Sequence, residues 1–243
     1  MIRSWAPRLL SIIFVARCCL AQTDFRGWQA VGGNKDDIHY SSLAQIDKDN
    51  VSSLKVAWTF ESGDSYPGSD IQCNPIVVGG VMFVTTPQSR VVALNAATGQ
   101  QLWSFVGQYS KRAPHPNRGL TYWTDGKQER ILLTLGHELL SLDAKNGKLD
   151  PQFGTEGRVD LRKAFDTPLE EISLAVTSPG VIYRNLIILG SSVAETLPAT
   201  VGDIRAYNVQ TGALAWTFHT IPHPGEFGVR HLASGRLEDF RRS

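Results

Sequence analysis

Cysteine is scarce: the 243 residues hold three, and two of them, Cys18 and Cys19, fall in an apolar N-terminal stretch. Cys73 is then the one thiol of the remainder, which excludes a disulfide framework within a processed chain. Beyond the N-terminus no apolar run approaches the ~20 residues a membrane-spanning helix needs. A surplus of either charge is missing too. With 24 basic against 23 acidic side chains the formal net charge is +1, so there is no electrostatic footprint for nucleic acid. The chain also has no glycine-rich phosphate loop and no Cys-x-x-Cys-His haem-attachment motif.

What is present describes a globular, turn-rich protein. Hydrophobic residues make up 42% and charged ones 19%, while 22 Gly and 12 Pro punctuate many short apolar runs, a composition that leans to β structure. Residues 1–21 read as an export signal. Arg3 and Arg8 supply its positive end, Leu9 to Ala16 its apolar centre, and Leu20-Ala21 a small-residue exit before Gln22. Arg17 cuts the run short of a retained anchor. The expectation is a mature chain without a transmembrane segment, exported to the periplasm, although a eukaryotic secretory route would use a similar signal.

The chain repeats itself. Ala93-Leu-Asn-Ala-Ala-Thr-Gly99-Gln-Gln-Leu-Trp103 lies in register with Ala206-Tyr-Asn-Val-Gln-Thr-Gly212-Ala-Leu-Ala-Trp216. Ser141-Leu-Asp143-Ala-Lys-Asn-Gly147 is a weaker third copy that reaches Pro151 where the others have Trp. Each copy predicts a hairpin: an apolar strand enters, Asn or Asp opens the turn, Gly supplies positive φ, and a second strand leaves. Short β runs at 81–84, 131–134 and 186–189 precede the copies. The copies start at 93, 141 and 206, so their spacings are 48 and 65, against ~40 to 50 residues for a four-stranded propeller blade. The longer spacing places an insertion in the loop 150–171. Trp58-Thr-Phe60 repeats the Trp-x-Phe ending of 103–105 and 216–218, and reads as the closing strand of a unit whose start is elsewhere. A β-sandwich with core tryptophans would account for one such Trp, but two copies of an eleven-residue pattern favour a propeller.

Three further strings join the repeat: Trp28-x4-Gly33-x6-Tyr40-Ser41-x-Leu43, Arg118-Gly-Leu-Thr-Tyr-Trp123 and Gly190-Ser-Ser-Val-Ala-Glu195. In this order, from about Trp28 to Gly228, the chain resembles the quinoprotein dehydrogenases that use pyrroloquinoline quinone (PQQ). The resemblance implies an all-β fold, the N-terminal portion of an eight-bladed β-propeller, and hence an incomplete ring of four to five blades at most. Gln72-x-Asn-Pro75 and the stretch 218–228 look closer to the glucose and polyol branch than to methanol dehydrogenase.

By the same resemblance, five residues bind cofactors. Arg118 is similar to the arginine that reaches the quinone oxygens, rather than a surface arginine beside Lys111 and Arg112. Thr177 and Ser192 resemble hydroxyls that hold a cofactor carboxylate, Gln72 a side chain near the distal carbonyl, and Glu195 the glutamate that binds Ca²⁺, a cation that prefers oxygen ligands. The implied reaction oxidises an alcohol, sugar or polyol hydroxyl, with electrons leaving to a respiratory acceptor, a quinone or cytochrome c. The family's catalytic base, its second calcium ligand and its stacking tryptophan match nothing in the 243 residues. The rival reading is a non-enzymatic propeller scaffold that binds protein in the periplasm; it would show the repeats without the Arg118 and Glu195 strings. His219 and His223 have a spacing that can bind metal on a helix, but Pro222 lies between them in an extended segment, so packing or solvent is the expected role.

The tail 229–243 has four arginines in fifteen residues and no β pattern. Back-translated and shifted by one nucleotide, it can yield a Thr-Trp string resembling the family, so it is expected to be a frameshifted, non-family tail on an inactive product. Arg118 and Glu195, 77 positions apart, are expected at one central cavity.

Overall fold

A computed structural model describes residues 27–34, 36–107, 117–165, 168, 171–196 and 199–227. Residues 1–21, expected to be an export signal and holding Cys18 and Cys19, and the tail 229–243 lie outside the described residues, as do Lys111 and Arg112. Twelve strands form three four-stranded antiparallel sheets, each a meander in chain order. The first holds β1 (Ile76–Val78), β2 (Val81–Thr85), β3 (Val91–Asn95) and β4 (Gln101–Phe105). The second holds β5 (Thr121–Thr124), β6 (Glu129–Leu135), β7 (Glu138–Asp143) and β8 (Arg158–Asp160). The third holds β9 (Val181–Tyr183), β10 (Leu186–Leu189), β11 (Ile204–Asn208) and β12 (Leu214–Phe218). These are three neighbouring blades of an incomplete β-propeller. The long stretch 36–75 adds no strand to any of the three sheets.

Packing explains the sequence pattern of each blade. The middle sheet is covered on both faces. Ile131, Leu133, Leu140 and Leu142 join Phe83, Val91 and Ala93 in one core, while Leu132 and Leu139 join Ile187, Leu189 and Tyr207 in the other. A strand buried on both faces reads as an unbroken apolar run rather than an alternation, as β6 and β7 do. In β10, Ile187 and Leu189 are buried while Leu186 and Ile188 are partly exposed, the alternation expected where one face is covered.

The repeats form the hairpins the sequence predicts, with the same hydrogen bonds each time. The side-chain Oδ1 of Asn95, Asp143 and Asn208 accepts the backbone N–H groups two and three residues on. Gly99, Gly147 and Gly212 follow at φ +71°, +71° and +73°, a conformation that glycine adopts without steric cost. These glycines have a second duty. A Cβ at Gly99 would stand 2.5 Å from the Trp58 ring, and one at Gly147 would stand 2.4 Å from the Trp103 ring. Trp58 Nε1 donates to Ala96 O and Trp103 Nε1 to Ala144 O, both at 3.1 Å. Each tryptophan thus docks on the turn of the next blade, and Trp58 does so from a segment outside the three sheets.

The third dock is built differently. Pro151 does not stand in for a tryptophan; Val159 in β8 lies over Gly212, its Cγ2 2.5 Å from where a Cβ would be. A methyl group brings no N–H, and the Val209 carbonyl takes its hydrogen bond from Arg130 Nη1 at 2.6 Å. Arg130, 3% exposed, also bonds Gln210 O, pairs with Asp150 and lies over the Trp123 ring. The stretch 150–171, expected to be an inserted loop, contains the fourth strand of its blade and a short 3₁₀ turn at Leu161–Ala164. Phe153 and Leu161 bury themselves under it, so the added length is packed against the blade.

Candidate functional site

The inner ends of the blades are tied into a row by backbone hydrogen bonds. Asn74 N donates to Arg118 O at 2.9 Å, and Arg118 N donates to Thr177 O at 2.8 Å. Ala175 and Ser192 then exchange a pair at 3.2 and 2.8 Å. Residues far apart in sequence therefore stand side by side: Asn74 at the first blade, Arg118 at the second, Ala175 to Thr177 and Ser192 at the third.

Arg118 is fixed on three sides. Gly119 has φ +155°, and a Cβ there would meet Pro179 Cγ at 3.3 Å and Asn74 O at 3.4 Å. Asn117 is buried, its Oδ1 accepting from Gly119 N at 3.0 Å and Thr85 Oγ1 at 3.2 Å, its Nδ2 donating to Thr134 O at 3.0 Å. Thr134 Oγ1 in turn donates to Val176 O at 2.7 Å. With its backbone immobilised, Arg118 extends an exposed guanidinium whose Nη1 donates to Thr177 Oγ1 at 3.2 Å. A planar, permanent cation with donors to spare is suited to binding a carboxylate or an electron-rich oxygen.

Arg118 also lines a cleft of about 870 Å³. Its walls are β5 and the 178–182 stretch of the third blade, with Gly33, Asp37 and Tyr40 on the N-terminal side; Asn74, Ser178 and Arg184 add polar groups. Gln72, Thr177, Ser192 and Glu195 are not on its walls. Gln72 is exposed and donates from Nε2 to Asp70 at 2.8 Å, two residues from the Asn74 that bonds Arg118. Ser192 is exposed on the ladder with Ala175. Glu195, three residues on, is an exposed carboxylate with no ion pair or hydrogen bond among the described residues. The structure thus joins Arg118 to Thr177 directly, sets Ser192 beside them through the backbone, and leaves Gln72 and Glu195 at the two ends of the row.

Sequence reasoning passed over Asn117. Its signal was there, a polar residue directly before Arg-Gly, but which partners it finds is decided by strands 32 and 17 residues away. The two histidines, expected in packing or solvent, pack on each other. The His219 and His223 rings stack 3.8 Å apart at 9°, because Pro222 and the turn after it fold the segment back on itself.

The family model described as PQQ, glucose/ethanol/alcohol dehydrogenase, beta-propeller domain, matches residues 28–236. The chain belongs to this family. The match runs into the first eight residues of the tail expected to be out of frame. Quinoprotein glucose dehydrogenase of Escherichia coli is 31% identical over 214 residues, covering 79% of this chain and 27% of the relative. The dehydrogenase subunit of the quinone alcohol dehydrogenase of Gluconobacter oxydans is 32% identical over 208 residues, with 81% and 25% covered. Among solved structures, a quinohemoprotein alcohol dehydrogenase from Pseudomonas putida matches with a TM-score of 0.68 at 28% identity, over 82% of this chain and 27% of that one. The chain spans about a quarter of the length of the curated relatives it matches.

Proposed function

We propose that this chain supplies one wall of a pyrroloquinoline quinone site, and that the whole protein oxidises a sugar, polyol or alcohol hydroxyl. The observation that carries the reading is Arg118: backbone clamped between two blades, guanidinium on Thr177 and on the cleft. The quinone is a planar, electron-poor molecule with three carboxylates. The cleft, at about 870 Å³, lies within the ~300–1,000 Å³ typical of cofactor pockets, and the Arg118 guanidinium on its wall, with the Thr177 hydroxyl beside it, suits such an anion. When bound, the quinone supplies the two-electron acceptor. Arg118 would hold its oxygens and stabilise negative charge there, Thr177 and Ser192 would donate to a carboxylate, and Gln72 would lie toward the far carbonyl. Glu195, unpaired and exposed, would hold Ca²⁺ through oxygen ligation. Electrons would pass to a quinone or cytochrome c acceptor. In this reading residues 1–21 direct the protein to the periplasm.

Titrating the 243-residue chain with the quinone and CaCl₂, followed by tryptophan fluorescence, tests the proposal. Saturable binding is expected, weakened at least tenfold by Arg118→Ala, with Glu195→Gln abolishing its calcium dependence. Turnover is expected to be undetectable, since nothing here matches the family's base. Absence of binding would favour the scaffold reading, and quinone-dependent alcohol oxidation by this chain would overturn the inactive one. The gene sequence decides the frame of 229–243.

A further inference from the structure

A second cluster lies away from the cleft, in the segment that follows β12. His223-Pro-Gly-Glu226 closes a β-turn: Glu226 N donates to His223 O at 3.0 Å, and Gly225 has φ +91°. A positive-φ glycine at the third position is what a type II turn requires, and proline at the second is its common companion. The turn carries the Glu226 carboxylate back onto the His219 ring and the His223 backbone. Its Oε1 lies 2.8 Å from His219 Nδ1, and its Oε2 accepts from His223 N at 2.6 Å. The nitrogen and oxygen atoms these three residues can offer a metal all lie within 4.8 Å of one another.

The segment is anchored rather than loose. Thr220 N donates to Asp203 Oδ1 at 3.2 Å, and the buried Asp203 pairs with Arg205 at 3.0 Å, whose guanidinium rests 3.9 Å over the Phe165 ring. His219 follows directly on the last residue of β12. The His219 end of the ligand set is therefore positioned before any ion arrives.

We propose that His219, His223 and Glu226 bind one transition-metal ion of the Zn²⁺ type, with water completing a tetrahedral site. Two imidazoles and a carboxylate form a donor set of intermediate softness, which selects zinc and its neighbours over calcium or magnesium. Bonds of ~2.0–2.1 Å place tetrahedral ligand atoms roughly 3.3 Å apart; from within 4.8 Å this is reached when the two rings turn out of their parallel stack so that both nitrogens face one ion. The site is independent of the quinone reading, shares no residue with it, and would pin the segment after β12 in its folded-back course.

The test uses the full chain stripped with chelator and titrated with ZnCl₂, with CoCl₂ in parallel for its ligand-field absorption. One ion per chain is expected, with Co²⁺ giving the intense visible bands of a tetrahedral site. His219→Ala and Glu226→Gln should each weaken binding by more than about tenfold, while His39→Ala, at an exposed histidine elsewhere, should leave it unchanged. A large excess of CaCl₂ should not displace the ion. Binding that survives the double variant His219→Ala/His223→Ala, an octahedral Co²⁺ spectrum, or displacement by Ca²⁺ would each overturn the proposal. Far-UV circular dichroism checks that the variants, at exposed or half-buried positions, retain the fold.

Discussion

Arg118 shows how much of a functional side chain's behaviour is set by its neighbours along the chain. Gly119 accepts a backbone course that a larger residue resists, and Asn117 locks the same peptide from below. Gly119→Ala is expected to cost about 1–3 kcal/mol through positive-φ strain and to displace Arg118 from Thr177. Urea denaturation and quinone affinity should both register it, and an unchanged midpoint would show that the position is not strained. Cys73 makes a second case at this scale. Burial raises the pKa of its thiol above the ordinary range, partly offset by hydrogen bonding with Thr85. A raised pKa leaves less thiolate at a given pH, and the thiolate is the reacting form. Alkylation of Cys73 near pH 8 should be slower in the folded chain than in urea, read by mass spectrometry at that peptide. The linked stability term is fully present below the unfolded thiol's pKa and is lost as pH rises through the higher folded value.

At the scale of elements, the inter-blade dock is a two-part device: an apolar group over a bare glycine and an N–H on the carbonyl one residue after the turn's Asn or Asp. Trp58 and Trp103 carry both parts in one side chain. Between the second and third blades the parts are divided, with Val159 on the glycine and Arg130 on the carbonyl. Arg130 is also the partner of Asp150, whose side chain is 17% exposed. Arg130→Met is therefore expected to destabilise by about 3 kcal/mol, since it strands a largely buried carboxylate and an unmet carbonyl. Arg130→Lys restores the charge without the fork and should recover only part of the loss. Thermal melts of the three chains check the ordering, and equal stability of Met and wild type would remove Arg130 from the dock.

For the molecule as a whole, the described residues bury the interfaces between blades and leave apolar surface at the outer sheets. On the third sheet Val181, Tyr183 and Phe218 are each more than half exposed, and Trp216, the counterpart of docked Trp103, is 39% exposed. Beside the first sheet Val56 is 83% exposed in the segment that carries Trp58. Surfaces of this kind, with open strand edges, promote association. The isolated 243-residue chain is expected to self-associate in a concentration-dependent way by size-exclusion chromatography with light scattering. A monodisperse monomer that melts cooperatively would contradict this.

The hairpins, the Gly-centred turns and the stacking of several blades were legible because they depend on local chemistry: an Asx side chain, a positive-φ glycine and strand-length apolar runs, repeated at one period. The family strings likewise marked Arg118, Thr177, Ser192, Glu195 and Gln72 for attention. What the sequence left open were pairings across distance. Val159 and Arg130 replace a tryptophan only because β8 and β6 are brought against Val209 and Gly212, and no local pattern encodes that substitution. Asn117 acquires its role from Thr85 and Thr134 on other strands. His219 and His223 meet because a Pro-Gly turn reverses the chain, in a segment whose sequence reads as extended. Composition and repeat determined which elements form, since those energies are settled within a few residues. Which side chains share a site was decided by the stacking of sheets, whose contacts join residues tens of positions apart.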